Sequence, residues 1–308
     1  MVDPDTFLTP LYVMVDDCCQ APLRPEGPPG RQASLRRREV ITRGLFGPWA
    51  CFPSARAFYR SARPHRRAAF PTLPHRSQFN RWRRRHSSGL VACFLPLVAR
   101  VDGRQALYEA LESSAVPTRD ATRRGAGWLP GLAAIGWSNR LGWYDGFPRL
   151  MAVNPRGVIT GFGFGPARTK DQARAETFLA LRQRPHPHDP SVGQPALGPE
   201  ISDTGFEGHT TPIRWWRWYG AQLLCPPTRH RRQPWSRPLR RWRAGVRQIV
   251  ETVDEKVHHT FGLSRERPHA LSGFQARLAA KMALHNCCIW VNAQLGRPSL
   301  AFADFVDC

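Results

Sequence analysis

The sequence predicts an α/β fold, in which a mixed β-sheet flanked by helices is preceded by an all-helical, basic N-terminal region. Up to about residue 100, basic and apolar positions are mixed at helical spacing, with loops rich in proline and glycine between the segments. From about residue 105, short apolar runs rich in strand-forming residues alternate with helical segments. We therefore divide the chain into residues 1–100 and residues 101–308.

Each element of the N-terminal region is predicted from its apolar spacing. The expected helices are residues 6–19, 34–49, 54–65 and 77–101. Ser34 is the expected N-cap of the second helix, because its hydroxyl can accept a hydrogen bond from a free backbone N–H.

The second region is predicted to begin with strands. Residues 107–116 indicate a strand centred on Glu112, and residues 149–154 and 158–167 indicate a hairpin that turns at Asn154-Pro155-Arg156-Gly157. The remaining predicted elements are a helix at 172–183, a loop at 184–199, a short strand leading into Asp203, a helix at 211–219, a strand at 221–227, a basic loop at 228–244, and helices at 245–261 and 271–295.

The chain is strongly basic. Its 308 residues include 45 lysines and arginines but only 23 acids, a formal net charge of +22. GC-rich coding explains why arginine outnumbers lysine, but it does not explain the scarcity of acids. The excess favours a nucleic-acid partner, since neutralised phosphates release counterions. In the N-terminal region a helix-turn-helix would fit this role, and so would backbone contact or simple packing.

The sequence also excludes several classes of protein. The eight cysteines form no CxxC spacing, so neither a disulfide framework nor a zinc site is expected. The N-terminus lacks the basic segment of a secretory signal, and no apolar run reaches the roughly 18–20 residues of a membrane span. We therefore expect a cytoplasmic protein without a membrane partner.

Two carboxylates stand out in the C-terminal third. Asp203 ends an apolar run just before a turn, and Glu251 lies on an amphipathic helix with Arg247 one turn earlier, able to orient it or to bind a phosphate. Acids presented from a strand end and from a helix suit a two-metal phosphoryl-transfer site. The alternative for the same pattern is a solvated turn aspartate and a surface glutamate.

Three motifs carry a resemblance to the DDE transposases of insertion sequences. SDTGFEG, at 202–208, resembles their A-D-K-G-F-x-G motif, and LESSAV, at 111–116, resembles the first-acid strand L-D-S-x-x-V. The helix that follows resembles part of the signature Y-x2-R-x3-E-x6-K, with Arg247 and Glu251 at its R and E positions. The resemblance covers roughly residues 105–300 well and residues 7–100 more loosely.

The resemblance implies an RNase H-like core in residues 101–308 and a DNA-binding role for residues 1–100. It assigns Glu112, Asp203 and Glu251 as catalytic acids that hold two Mg²⁺ or Mn²⁺ ions. The implied function is metal-dependent cleavage and strand transfer at insertion-sequence ends. The implied partners are double-stranded DNA, both element ends and target, and a second copy on paired ends. The implied location is the bacterial cytoplasm, with nucleoid association when DNA is bound.

Several residues are predicted to contact DNA. The resemblance assigns phosphate contacts to Arg247 and His258, the basic loop predicts further contacts, and a tryptophan cluster could stack on bases. The set comprises Arg247, His258, Arg240, Arg241, Trp215 and Trp216. For the tryptophans, the alternative is a core face flanked by solvated arginines.

The chain departs from the family's motifs at four positions. Glu112 replaces the usual aspartate, Thr204 and His258 each replace a lysine, and Ala244 replaces a tyrosine. The extra methylene at position 112 shifts the carboxylate, and misplacement of this kind costs about 100-fold in rate. Two alternatives therefore stand beside the active transposase: a decayed copy that only binds DNA, and an RNase H-like nuclease without strand transfer.

Overall fold

The structure is a computed structural model. The residues that it describes are 4–20, 35–49, 52, 56–60, 73–101, 106–119, 129, 131–184, 196–227, 235–265, 268 and 270–302. The predicted cap Ser34 lies outside these residues, as do parts of the loops predicted at 184–199 and 228–244 and the ends of the helix predicted at 54–65.

The N-terminal region is helical in its described part. Its helices are α1 (Pro4–Gln20), α2 (Arg37–Trp49), a short stretch at 56–60, α3 (Arg76–Arg85), α4 (Ser87–Ala92) and α5 (Phe94–Arg100). The single helix predicted at 77–101 is therefore three helices, broken at His86 and Cys93. Helix α4 packs closely on α2: a Cβ on Gly89 of α4 would come within 2.7 Å of the Ile41 side chain in α2.

The sheet is mixed, as predicted. Its strands are β1 (Glu109–Arg119), β2 (Ala134–Ser138), β3 (Gly142–Val153), β4 (Ile159–Phe164), β5 (Glu200–Ile201) and β6 (Leu223–Leu224). One edge of β3 pairs antiparallel with β1, and the other edge pairs with β2 and then with β4. The other edge of β1 pairs parallel with β5, and β5 pairs parallel with β6. The hairpin predicted around residues 154–157 is confirmed as β3–β4, whereas β2 is a strand that the sequence did not indicate.

Four longer helices complete this region: α6 (Asp171–Gln183), α7 (Thr211–Tyr219), α8 (Arg237–Glu255) and α9 (Leu271–Gln294). A π-helical turn, Lys256–Thr260, extends α8. The prediction of a loop up to residue 244 is wrong, since α8 already begins at Arg237. Pro238 in its first turn suits a helix start, and arginine has a high helix propensity.

Helices cover both faces of the sheet, so the α/β class with flanking helices is confirmed. Side chains of a strand alternate between its faces. Ala110 and Met151 pack in a cluster with Val250 of α8 and Phe274 of α9. Leu111 points the other way and packs in a cluster with residues of α6 and α7. None of the helices in the described part of the chain is long and apolar enough to cross a membrane.

Helix α9 joins the N-terminal helices to the sheet. It is buried around most of its circumference, and such a helix belongs to the interior of a protein. Leu278 and Met282 belong to the sheet cluster, whereas Leu284 and Cys287 belong to a cluster formed mainly by α1, α2 and the helices at 76–100. The division at residue 100 stays a prediction.

A buried ion cluster ties β1 to β5. Glu109 and Glu200 are neighbours in the parallel pairing, and Arg182 of α6 donates to both, at 2.6 Å and 3.1 Å. Burial raises the pKa of Glu200 to about 8, further helped by the charge of Glu109 and opposed by Arg182. One guanidinium thus serves two adjacent buried glutamates.

Candidate nucleic-acid cleavage site

The three predicted acids come from three elements that lie close together beside the interior strand β1. Glu112 lies on β1, Asp203 directly follows β5, and Glu251 lies on α8, which packs against β1. Glu112 and Glu251 flank the side chain of Arg247, whose Nη2 lies 3.3 Å from Glu112 Oε2 and 2.9 Å from Glu251 Oε1. Burial lowers the pKa of Arg247, but the charges of Glu112 and Asp203 help to raise it above its usual value.

Glu112 is largely buried, with a side chain 16% exposed. Its Oε2 is buried and makes no hydrogen bond, although it lies in the ion pair with Arg247. Burial raises the pKa of Glu112 to about 7; Arg247 opposes the rise, and Asp203, Asp254 and Glu251 add to it. A buried carboxylate among like charges is a group that a bound cation would stabilise.

Asp203 caps the short 3₁₀ turn Thr204–Phe206. Its Oδ1 accepts a hydrogen bond from the backbone N–H of Gly205 at 2.9 Å. A Cβ at position 205 would lie 3.1 Å from Asp203 Oδ1 and 3.3 Å from Asp171 Oδ2. The glycine of the motif therefore leaves room for two carboxylates beside the turn.

Asp171 is an acid near the site that the sequence did not indicate. It lies in the first turn of α6, and its Oδ1 accepts hydrogen bonds from Ser113 at 2.9 Å and from Arg174 at 2.7 Å. Ser113 points to the face of β1 opposite to Glu112, since the two are consecutive in the strand. Asp171 therefore approaches Asp203 from the α6 side of the sheet.

Glu251 is the most accessible acid of the group. Its side chain is 59% exposed, and its ion pair with Arg247 spans one helical turn. This exposure leaves the carboxylate free to move toward a ligand.

A second, buried network fixes α8 to the sheet. Arg149 of β3 is fully buried and donates to Asp254 of α8 and to Ser114 of β1, the latter at 2.8 Å. Ser114 in turn donates to Asp254 at 2.8 Å. Burial alone would raise the pKa of Asp254, but Arg149, His258 and Ser114 hold it below its usual value. Because Ser114 lies two residues after Glu112 and Asp254 three after Glu251, the network positions those two acids.

His258 belongs to this network, so its prediction as a phosphate contact is wrong. Its ring lies 2.9 Å from Ser264 Oγ and 3.0 Å from Arg140 Nη2, and the side chain is buried. Burial lowers the pKa of His258 to about 3, with Arg149 and Arg140 adding to the shift and Asp254 opposing it. The π-helical turn places this neutral ring against the sheet, away from solvent.

Trp215 is also mispredicted as a base-stacking residue. It is fully buried in the cluster between α6 and α7, and its Nε1 donates to Glu176 at 3.1 Å. Consecutive residues of a helix point in different directions, so the neighbouring Trp216 is 65% exposed. The role of Trp216 in DNA binding stays a prediction.

The arginines of α8 form a stripe that leads to the acids. Arg240, Arg243 and Arg247 are spaced three and four residues apart, so they share one helix face with Glu251. Arg240 and Arg241 are exposed, whereas Arg243 donates to the carbonyl of Ser202 at 3.2 Å. The stripe offers cations for a phosphate backbone next to the carboxylates.

The donor set suits a hard cation. Within the described ranges, no three acid, histidine or cysteine side chains lie together as a ready-made metal site. Nevertheless, carboxylate oxygens are the ligands that Mg²⁺ and Mn²⁺ prefer, and the buried Oε2 of Glu112, which makes no hydrogen bond, suits such a cation. The guanidinium of Arg247 lies among these acids.

Comparisons with protein-family models, with curated proteins and with solved structures find no match for this chain.

Proposed function

We propose that this chain is a DDE-type transposase that cleaves DNA at insertion-sequence ends and joins it to a target. The observation that carries the proposal is that Glu112 and Glu251, which are far apart in the sequence, both contact Arg247, while the charge of Asp203 also affects this guanidinium. The mixed six-stranded sheet, in which β1 to β4 pair antiparallel and β5 and β6 are added parallel to β1, is compatible with the RNase H-like core that this function requires.

In this proposal the three acids hold the metal ions. The ions would activate a water or a DNA 3′-hydroxyl and stabilise the leaving oxygen of an in-line displacement. Glu112 is the buried acid of the set and Glu251 the accessible one.

The chain's other residues bind and orient the DNA. The arginine stripe of α8 would hold the phosphate backbone, with Arg247 nearest the scissile bond. Asp254, Ser114 and Arg149 would keep α8 at a constant distance from β1. Paired element ends held by a homodimer, and a cytoplasmic location with nucleoid association, belong to the same proposal.

The experiment that tests the function is strand nicking with Mg²⁺ or Mn²⁺ on DNA that carries the element's own ends. Asp203→Ala should abolish nicking while it leaves DNA affinity nearly unchanged, because binding depends on the arginines. Nicking by Asp203→Ala at the wild-type rate would refute the proposal.

The same assay separates the alternatives. Binding without nicking in the wild type would favour a decayed, DNA-binding copy. Nicking without joined products, together with a gene that lacks flanking inverted repeats, would favour an RNase H-like nuclease.

A further inference from the structure

The position of Arg247 has a consequence for metal binding. Its Nη2 contacts one oxygen of Glu112 and one of Glu251, and the guanidinium also interacts electrostatically with Asp203. A metal ion held by these acids would need the same carboxylate oxygens. A cation cannot share this space with a guanidinium without strong repulsion.

We propose that Arg247 is an internal counter-ion that occupies the acid cluster until a DNA phosphate draws its guanidinium away. This inference rests on the proposed function and adds its regulation: metal loading is coupled to the arrival of DNA. Phosphate competes well for the guanidinium, because the planar fork of arginine binds phosphate through paired hydrogen bonds.

The surroundings of Arg247 allow such a movement. Its side chain is 22% exposed, and one of its two partners, Glu251, is 59% exposed. Arg240 and Arg243 lie on the same face of α8, so a phosphate backbone that follows this stripe reaches Arg247 next. When Arg247 leaves, the buried Oε2 of Glu112 loses its ion-pair partner and makes no other hydrogen bond, which favours entry of a metal ion.

Arg243 provides a matched control. It lies one turn before Arg247 on the same helix and carries the same charge. It also acts electrostatically on Asp203 and Glu251. Its hydrogen bond, however, goes to the carbonyl of Ser202 rather than to a carboxylate of the cluster. Removal of Arg243 therefore takes one positive charge away from the neighbourhood of the acids but leaves the Arg247 guanidinium between Glu112 and Glu251.

The test is calorimetric titration of Mn²⁺ into the DNA-free full-length protein. We expect Arg247→Gln to bind Mn²⁺ about 10-fold more tightly than the wild type, and Arg243→Gln to differ from it by less than about 3-fold. Asp203→Ala added to Arg247→Gln should remove the gain. Equal affinities in wild type and Arg247→Gln, or an equal gain in Arg243→Gln, would overturn the inference.

The same coupling should be visible from the DNA side, because coupling free energies are reciprocal. Fluorescence anisotropy of a labelled duplex measures DNA affinity in Ca²⁺ and in EDTA. We expect Ca²⁺ to raise the DNA affinity of the wild type by a larger factor than it raises the DNA affinity of Arg247→Gln. Equal factors would contradict the inference.

These outcomes separate the inference from the proposed function. If Arg247→Gln binds Mn²⁺ tightly through Asp203 but the wild type never nicks DNA, the function fails and the counter-ion role stands. If the wild type nicks DNA but both proteins bind Mn²⁺ equally, the counter-ion role fails and the function stands. If neither protein binds Mn²⁺, both fail.

Discussion

Two opposing requirements act on the side chain of Glu112. Glu112 is held in a buried position that raises the pKa of its carboxyl to about 7, although a metal ligand must be ionised. The motif that this strand resembles has an aspartate there, which is shorter by one methylene. The residue at position 112 thus sets both the ionisation of this acid and how far its carboxylate extends.

Glu112→Asp should raise metal-dependent nicking of end-containing DNA by about 10–100-fold, because it restores the shorter ligand. The measurement is the initial nicking rate in Mg²⁺ or Mn²⁺. Glu255→Asp, the same change at an exposed position of α8, is the control and should have no effect. Equal rates for wild type and Glu112→Asp would mean that glutamate serves as a competent ligand.

Glu200→Gln should stabilise the protein at neutral pH. The folded-state pKa of Glu200, about 8, lies above the value of about 4.5 that applies when the chain is unfolded, so wild-type stability falls as pH rises between these values. The amide lacks this penalty and can still accept from Arg182. Urea denaturation at pH 7 should show a gain of about 1–3 kcal/mol in the free energy of unfolding.

This gain should vanish near pH 4, where the carboxyl is protonated in both states. A loss of stability at pH 7 would show that Glu200 is ionised in the folded protein and that its charge pairs with Arg182.

Among the elements, α8 combines three tasks. Its apolar residues Val246, Val250 and Val253 pack on the sheet, and its arginine stripe leads to the acids beside β1. Asp254 anchors its last turn to β1 and β3 through Ser114 and Arg149. The position of Glu251 relative to Glu112 therefore depends on this anchor.

Asp254→Asn should destabilise the fold by about 3 kcal/mol, because it leaves the buried Arg149 without its charged partner. Nicking should fall even at temperatures where the variant is folded, since α8 loses its anchor. Chemical denaturation and nicking rates measure the two effects. Glu255→Gln, which removes a carboxylate from an exposed position next to it, is the control. An unchanged free energy of unfolding would show that Arg149 does not depend on Asp254.

At the scale of the whole molecule, the N-terminal helices and the sheet share helix α9. One side of α9 packs on the sheet, and Ala276, Ala280 and Leu284 pack in the cluster that α1 and α2 complete. Each region thus buries apolar surface of the other.

Residues 101–308 expressed alone should expose this side of α9 and lose solubility or bind a hydrophobic dye, whereas the full chain should not. The full chain should also unfold in one cooperative transition, which calorimetry and circular dichroism can check. A soluble 101–308 fragment with native-like stability would instead establish two independent domains at the predicted boundary.

The sequence by itself determined the elements whose pattern is local. The helices α6, α7 and α9 begin and end close to their predicted residues, and the β3–β4 hairpin turns where predicted, although β3 begins at Gly142 rather than at 149; periodicity, glycine and proline act over a few neighbours. It also indicated Glu112, Asp203, Arg247 and Glu251. The start of α8 was wrong, since a run of arginines between prolines resembles a loop although arginine favours helices.

The tertiary structure alone decided which polar side chains are buried. His258 occupies a position where a phosphate contact was expected, but Arg149, more than a hundred residues earlier in the chain, and Ser114 and Arg140 surround its ring. No local pattern distinguishes Trp215, which is buried, from Trp216, which is exposed. Burial depends on which distant strands and helices pack together, and that packing also brings Arg247 among the three acids.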